Sequence, residues 1–491
     1  MSTNRAVERK TLRGMVWAYT SYVGGRMLTL VATAILARLL SPHDFGLVAL
    51  AILFMTLLET LSDLGVTQAL VIVKDTDEEE TAETAFVWAL VLGFVLTVVT
   101  ASLGPVGAAF FHQHALVWIL PALGCRFLLR AISATHYALA QKRIDFRSRT
   151  AGEISDVVVR GITSISLAIA GFGAWSLVIG YLAGSVALTV VLWIMVPWRP
   201  KLKPKREHLS QMLRFGGILT AVDISAAVFS NADYTFIGRV LGATELGLYT
   251  LAFRLPELLI GNMSVVAGRV LFPAFAAIER ASLSRAFQRS FKYTLMFALP
   301  IAAGLAILAH PFIVAIFSDK WERSVPVMQL LTVYALGTTI GIPAGTVYKS
   351  TGRAGILLAL SIPRTCLAIA AIAIFVDHGI VAVSACLAVV TAVFAAFSLL
   401  LATRLLSVTA RELWSASWPA LMATAAMAAV LVPIQRTIDS PWPALVAGGA
   451  AGAVVYMSTL WVFARDSLIR LRDTAFPRFA PPGTRETDLV A

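Results

Sequence analysis

The side chains that could carry chemistry in this chain are charged groups inside long apolar stretches. Placing charge in hydrocarbon costs free energy, so such residues usually have a function or a partner. Some of them have no opposite charge at helical spacing along the sequence. These are Arg26, Arg126, Arg130, Arg364, Asp223 and Asp233.

Arginine points to an anionic ligand, because its guanidinium group stays charged and can bind phosphate through two parallel hydrogen bonds. Arg126 and Arg130 are four residues apart, so a helix presents them on one face. We therefore expect the four arginines to bind an anion. Asp223 and Asp233 suit a coupling cation instead, either H⁺ or Na⁺.

Two further sets of charges have the spacing of ion pairs within a helix. Asp156 and Arg160 are spaced i, i+4, and Arg254 and Glu257 are spaced i, i+3. Two interpretations have equal support for each pair: a structural pair that neutralises itself, or side chains that line a cavity.

Charges near predicted helix ends favour a structural role. Arg38 and Arg239 can extend to the membrane interface, with their apolar stems left among the lipids. Glu59 and Asp63 are open to two interpretations, as intramembrane groups or as groups close to the membrane surface.

Enzyme and metal signatures are weak or absent in this sequence. No glycine is followed by lysine, which excludes a P-loop, and no HExxH motif occurs. His112 and His114 give only a weak metal signal. The cysteines Cys125, Cys366 and Cys386 have no metal spacing and favour small core residues. We expect no catalytic residue, no metal site and no cofactor.

The composition requires a membrane. Apolar residues make up 58% of the 491 residues and charged residues 14%, whereas a soluble domain carries about 25% charged residues. A spanning helix needs roughly 20 apolar residues, and such runs recur along the chain. The net charge of +12 lies beside these runs, where it sets orientation, so a nucleic-acid partner is excluded.

The apolar runs predict an all-α polytopic membrane protein with about fourteen transmembrane helices. The predicted ranges are 12–39, 43–65, 83–103, 115–139, 150–171, 173–197, 210–240, 244–270, 288–317, 325–348, 354–376, 379–403, 413–434 and 442–464. Basic residues concentrate on one side of this arrangement, which predicts cytoplasmic termini. We interpret the acidic run 75–80 as a solvated loop on the same side.

A repeated stretch organises the helices into two halves. LARLLSPHDFGLVALA at 36–51 and IGRVLGATELGLYTLA at 237–252 share six identities in sixteen positions, at a constant offset (239 − 38 = 201). Asp44 and Glu245 occupy equivalent turns, where helix capping is the favoured interpretation.

The offset predicts two pseudo-symmetric lobes of six helices each. The predicted boundaries are a tail at 1–11, an N-lobe at 12–197, a basic linker at 198–209, a C-lobe at 210–405, helices at 413–464 and a tail at 465–491. Gly448 and Gly452 in the last helix have the spacing of close helix packing.

The interior charges fall on the first, second, fourth and fifth helices of each half, and not on the third and sixth. The polar helices are therefore expected to line a central cavity between parallel repeats, as in transporters.

The same stretches resemble one known family. The residues 37–51, LSDLGVTQALV at 61–71, GLYTLAFRLPELL at 247–259 and LPIAAGLAILAHPFI at 299–313 are similar to the polysaccharide transporters of the multidrug/oligosaccharidyl-lipid/polysaccharide (MOP) superfamily. Colanic-acid and succinoglycan exporters are the type that they most resemble. The resemblance covers about residues 10–405.

The resemblance implies a flippase of the bacterial inner membrane. Its substrate would be an undecaprenyl-diphosphate-linked oligosaccharide, moved from the cytoplasmic to the periplasmic leaflet by alternating access. Its protein partners would be a polysaccharide polymerase and chain-length or export proteins. On this view Arg26, Arg126, Arg130 and Arg364 bind the diphosphate. The alternatives are a cation-coupled multidrug exporter, a membrane scaffold without transport, and a membrane glycosyltransferase with Asp44 and Glu245 as its acidic pair.

Overall fold

The computed structural model describes residues 24–63, 78–143, 145–202 and 231–475, and every regular element in these ranges is a helix. Ten helices in this part of the chain are long and apolar enough to cross a membrane. The predicted fold class, a polytopic helical membrane protein, is confirmed. The chain divides into two compact units, Met1–Gly247 (unit 1) and Leu248–Ala491 (unit 2).

Unit 1 contains seven helices in the described ranges. They are α1 at 24–39, α2 (Pro42–Asp63), α3 (Glu78–Phe111), α4 (Leu116–Lys142), α5 (Phe146–Ile169), α6 (Ala174–Met195) and α7, which is α-helical over Ala232–Phe236 and π-helical over Ile237–Leu241. The boundary between the units falls inside α8 (Ala243–Pro256).

Unit 2 continues with further helices. They are α9 (Asn262–Ala277), α10 (Arg280–Ile307), α11 (Ala309–Phe317), α12 (Val325–Ile340), α13 (Ile342–Ser350), α14 (Ala354–Phe375), α15 (Ile380–Leu405), α16 (Ala410–Thr437) and α17 (Pro441–Ala475). A π-helical turn, Glu257–Gly261, separates α8 from α9.

Proline explains where one predicted helix divides. The range 325–348 was expected as a single helix, but α12 ends at Ile340 and α13 begins at Ile342. Pro343 stands in the first turn of α13, where its missing N–H is tolerated, whereas inside a continuous helix it would remove a hydrogen bond. The third predicted helix is longer than expected and runs through Pro105 to Phe111.

Small residues let the helices of unit 1 approach closely. α3 packs along α4, and α5 packs along α6. A β-carbon at Gly180 of α6 would overlap the hydroxyl of Ser164, and one at Gly184 would lie 2.8 Å from the carbonyl oxygen of Asp156. These glycines therefore fix the distance between α5 and α6.

The acidic run at the start of α3 does not form a solvated loop over Glu78–Glu80. Glu78 accepts a hydrogen bond from Arg143 at 2.8 Å, and Lys142 Nζ lies 3.2 Å from its other oxygen. Lys201 in the predicted linker donates to Glu79, and this hydrogen bond raises the pKa of the Lys201 ammonium. The acidic turn thus anchors the beginning of the linker.

The two copies of the repeated stretch pack on each other within unit 1. A β-carbon at Gly46 would overlap the carbonyl oxygen of Ala243, and one at Gly247 would overlap that of Pro42. Pro42 and Ala243 are related by the same 201-residue offset as the two glycines, so the contact is reciprocal. The repeat therefore has a structural basis at this contact, where only hydrogen fits at either glycine.

The core of unit 2 includes the helices beyond the repeat. Buried side chains of α10, α16 and α17 form one cluster. The predicted close packing of α17 is confirmed, because a β-carbon at Gly448 would lie 2.9 Å from Leu308 and one at Gly452 would lie 3.2 Å from Leu431. α17 continues past the predicted end at 464 to Ala475, across non-helical backbone at Ala464.

Candidate functional site

Charged and polar side chains from three helices meet inside unit 1. Glu59 lies on α2, Arg126 and Arg130 on α4, and Tyr181 and Ser185 on α6. The guanidinium groups of Arg126 and Arg130 both donate to Glu59 Oε1, at 2.9 and 3.1 Å. We call this group the arginine cluster.

The sequence-based expectation that Arg126 and Arg130 lack a partner is wrong. Their shared partner, Glu59, is 67 residues away from Arg126 along the chain, so no helical spacing could reveal it. Arg126 also donates to Ser185 at 3.2 Å and lies 5.6 Å from the centre of the Tyr181 ring. One carboxylate thus binds both arginines.

A second charge pair lies beside the arginine cluster. Arg160 Nη1 is 3.8 Å from Asp156 Oδ2, at the predicted i, i+4 spacing. Arg160 also lies 5.1 Å from the ring centre of Tyr181, so that ring contacts guanidinium groups from two helices. Cation–π contacts of this kind partly replace the water that each arginine loses.

Unit 2 contains a cavity of about 610 Å³. Its walls are one face each of α9, α12 with α13, α14 and α15. Residues on α14 and on α15 repeat at i, i+3, i+4 and i+7, which is one side of a helix. The break between α12 and α13 at Gly341 also opens onto this space.

The charges that line this cavity are all positive. Lys349 of α13 and Arg364 of α14 are its charged lining residues, and no aspartate or glutamate of the described ranges lines it. Within the described residues neither side chain forms an ion pair. The polar remainder of the wall consists of hydroxyl groups, at Thr338, Thr346, Ser361, Thr391 and Ser398. We call this space the unit 2 cavity.

Lys349 was not predicted as a binding residue, because it directly follows the predicted apolar helix 325–348. Basic residues at such helix ends are expected to set orientation in the membrane. Thr346, one turn earlier, donates its hydroxyl to Ile342 O at 2.9 Å. The oxygen of that hydroxyl can still accept a hydrogen bond from a ligand.

The other predicted site residues do not join these two groups in the described structure. Arg26 lies exposed on α1 and has an interaction partner of its own, as does Asp233 on α7. Asp223 lies outside the described residues. Arg254 and Glu257 form no ion pair in the described part of unit 2, because α8 ends at Pro256 and the π-helical turn begins at Glu257.

The turn that precedes α2 contains capping contacts. Asp44 Oδ2 accepts hydrogen bonds from the backbone and hydroxyl of Ser41, and its Oδ1 accepts one from the N–H of Ala174. Helix capping therefore accounts for Asp44. His112, which together with His114 gave only a weak metal signal, contacts the guanidinium of Arg239. Cys125 and Cys366 are exposed, not core residues.

Comparison with known proteins fits the membrane helices. The model of one family, described as Polysaccharide biosynthesis protein, matches residues 35–326. The chain belongs to this family. The lipopolysaccharide biosynthesis protein WzxC of Escherichia coli (strain K12) is 28% identical over 75% of this chain and 76% of that protein. The succinoglycan biosynthesis transport protein ExoT of Rhizobium meliloti (strain 1021) is 27% identical over 98% and 99%, respectively.

Solved structures support the same fold. The lipid II flippase MurJ in an inward closed conformation has a TM-score of 0.75 at 14% identity, over 92% of this chain and all of that one. An inward-facing multidrug resistance MATE family transporter of the MOP superfamily has a TM-score of 0.63 at 18% identity, over 78% and 94%. The chain is thus a multi-pass membrane protein of a polysaccharide transporter family, as its sequence predicted.

Proposed function

We propose that this protein moves an undecaprenyl-diphosphate-linked oligosaccharide from the cytoplasmic to the periplasmic leaflet, for exopolysaccharide or lipopolysaccharide synthesis. The observation that carries the proposal is the unit 2 cavity, whose charged lining residues are Lys349 and Arg364. Two cations without a lining carboxylate favour an anion. A polyprenyl diphosphate supplies two negative charges and several acceptor oxygens.

The mechanism follows from this charge distribution. Arg364 and Lys349 bind diphosphate oxygens, and the wall hydroxyls hydrogen-bond the first sugars while the lipid tail stays in the bilayer. Alternating access then presents the head group to the other leaflet. Arg26, Arg126 and Arg130 remain proposed contacts at other stages, and Asp223 and Asp233 proposed sites for a coupling cation.

The leaflet that holds the lipid-linked oligosaccharide after depletion of the protein tests this proposal. The substrate is labelled in spheroplasts and in inverted vesicles, with a reagent that does not cross the membrane. Accumulation on the cytoplasmic leaflet is the expected result. Accumulation on the periplasmic leaflet would contradict it and favour a scaffold that acts after translocation.

Charge variants then connect the function to the cavity. Arg364→Gln with Lys349→Gln should stop translocation, whereas Arg353→Gln with Arg404→Gln, a matched change outside the cavity lining, should preserve it. The basic lining also disfavours the alternative of a cation-coupled multidrug exporter. Resistance to cationic drugs that depends on this protein would favour that alternative.

A further inference from the structure

The arginine cluster has the geometry of an anion site that already holds an anion. Arg126 and Arg130 are one helical turn apart on α4, and their Nη1 atoms converge on one oxygen of Glu59 at 2.9 and 3.1 Å. Two guanidinium groups around one oxygen is also the arrangement that binds phosphate.

The charge of this group is not balanced by Glu59. Two guanidinium groups face one carboxylate, and the neighbouring Asp156 and Arg160 neutralise each other at 3.8 Å. Tyr181 contacts Arg126 and Arg160 through its ring. The described part of the cluster therefore keeps an excess of one positive charge, which a ligand with two negative charges would satisfy better than one carboxylate does.

The cluster is also preorganised and accessible. Arg126 is 16% exposed and is fixed by Ser185 and Tyr181, whereas Arg130 is 50% exposed. A ligand can therefore reach Arg130 first and then compete with Glu59 for Arg126, which is already oriented.

We infer that the arginine cluster is a phosphate-binding site that Glu59 occupies when no substrate is bound, and that a diphosphate displaces Glu59 from both arginines. This inference rests on the proposed function for the identity of the natural ligand. Glu59 then sets specificity. A monovalent anion gains too little to replace it, whereas a diphosphate offers more charge and more acceptor oxygens.

The test measures binding of inorganic pyrophosphate and inorganic phosphate to the purified full-length protein in lipid nanodiscs. Glu59→Gln keeps the size and an acceptor oxygen but removes the competing charge. We expect its pyrophosphate dissociation constant to fall about tenfold, the size of one charge-assisted hydrogen bond. Phosphate, which wild type binds poorly, should become a measurable ligand.

Glu153→Gln is the matched control. Glu153 lies on α5 and contacts Arg149 and Tyr137 rather than the cluster. The same charge change there should leave both dissociation constants within about twofold of wild type, since distant exposed charges are screened. Arg126→Lys, which keeps the charge but loses the fork of donors, should remove most of the gain from Glu59→Gln.

Equal pyrophosphate affinity in wild type and Glu59→Gln would overturn the inference, and so would an equal gain in Glu153→Gln. Neither result touches the proposed function, which the leaflet assay decides. A gain confined to Glu59→Gln, combined with periplasmic accumulation in the leaflet assay, would support the anion site and reject the proposed function. An unfolded Glu59→Gln would be replaced by Glu59→Asp, whose shorter reach should give a smaller gain in the same direction.

Discussion

The arginine cluster of unit 1 and the unit 2 cavity contain the same kinds of residue in opposite states. In unit 1, one carboxylate binds Arg126 and Arg130. In the unit 2 cavity, Arg364 and Lys349 line a space of about 610 Å³ without a lining carboxylate. A membrane arginine is therefore not a ligand site by type alone, since its state depends on whether another helix brings it an acid.

This difference predicts opposite effects on stability and on binding. Removing Arg126 from the cluster removes hydrogen bonds between helices and destabilises the fold. Removing a cation from the cavity relieves repulsion and affects only ligand binding.

The largest expected effect is that of Arg126→Ala. It removes the hydrogen bonds to Glu59 and Ser185 and the contact with the Tyr181 ring, and we expect a loss of about 3 kcal/mol in the free energy of unfolding. Thermal unfolding in nanodiscs measures it. Glu59→Gln should cost less in this variant than in the wild-type chain, and a loss in the double variant equal to the sum of the two single losses would show that the two side chains are not coupled.

Arg364→Gln with Lys349→Gln should leave the unfolding temperature of the free protein unchanged or slightly higher. In wild type, pyrophosphate at 100 times its dissociation constant should stabilise by about 2.7 kcal/mol. The double variant should lose the share of this stabilisation that the cavity contributes. A double variant that is unstable without ligand would contradict the view that these charges have no structural role.

Two glycines extend the comparison between unit 1 and the unit 2 cavity to helix packing. A β-carbon at Gly184 in unit 1 would lie 2.8 Å from Asp156 O, whereas one at Gly345 in the cavity wall would be at an ordinary 3.6 Å from Leu357. We expect Gly184→Ala to cost about 1–3 kcal/mol and Gly345→Ala to be neutral. Unfolding midpoints of the two variants, measured side by side, test this, and equal midpoints would refute it.

The smallest effect is expected for Asp156→Asn. Asp156 is 3.8 Å from Arg160, which also has the Tyr181 ring as a partner. We expect a cost of about 0.5 kcal/mol, typical of a pair within one helix. A loss as large as that of Arg126→Ala would mean that Asp156, and not Glu59, is the main counter-ion of the cluster.

The helix boundaries show how much of the fold could be predicted from the sequence. Apolar runs predicted the ends of α2, α6 and α15 within a few residues. A spanning helix needs a continuous apolar stretch, and the ends of such a stretch can be read from the sequence. The prediction of one continuous helix was wrong near Pro343, where the structure has two helices. The third predicted helix was expected to end at 103 and ends at Phe111.

The repeated stretch was predicted from identities alone, and the reciprocal packing of Gly46 and Gly247 gives it a physical reason. Backbone atoms of each copy fill the space where a β-carbon of the other would lie. The identities could not predict this contact. A sequence repeat shows that two segments are similar, but it does not show that they pack against each other.

By itself, then, the sequence determined the membrane class, the helices, the repeat, the family and the identity of the interior charges, since all of these depend on composition and order along the chain. Only the tertiary structure decided which charges are neutralised. Glu59 reaches Arg126 across 67 residues, and Lys349 of α13 lines the same cavity as Arg364 of α14. Electrostatic energy depends on distance in space, which helical spacing reports only within a single helix.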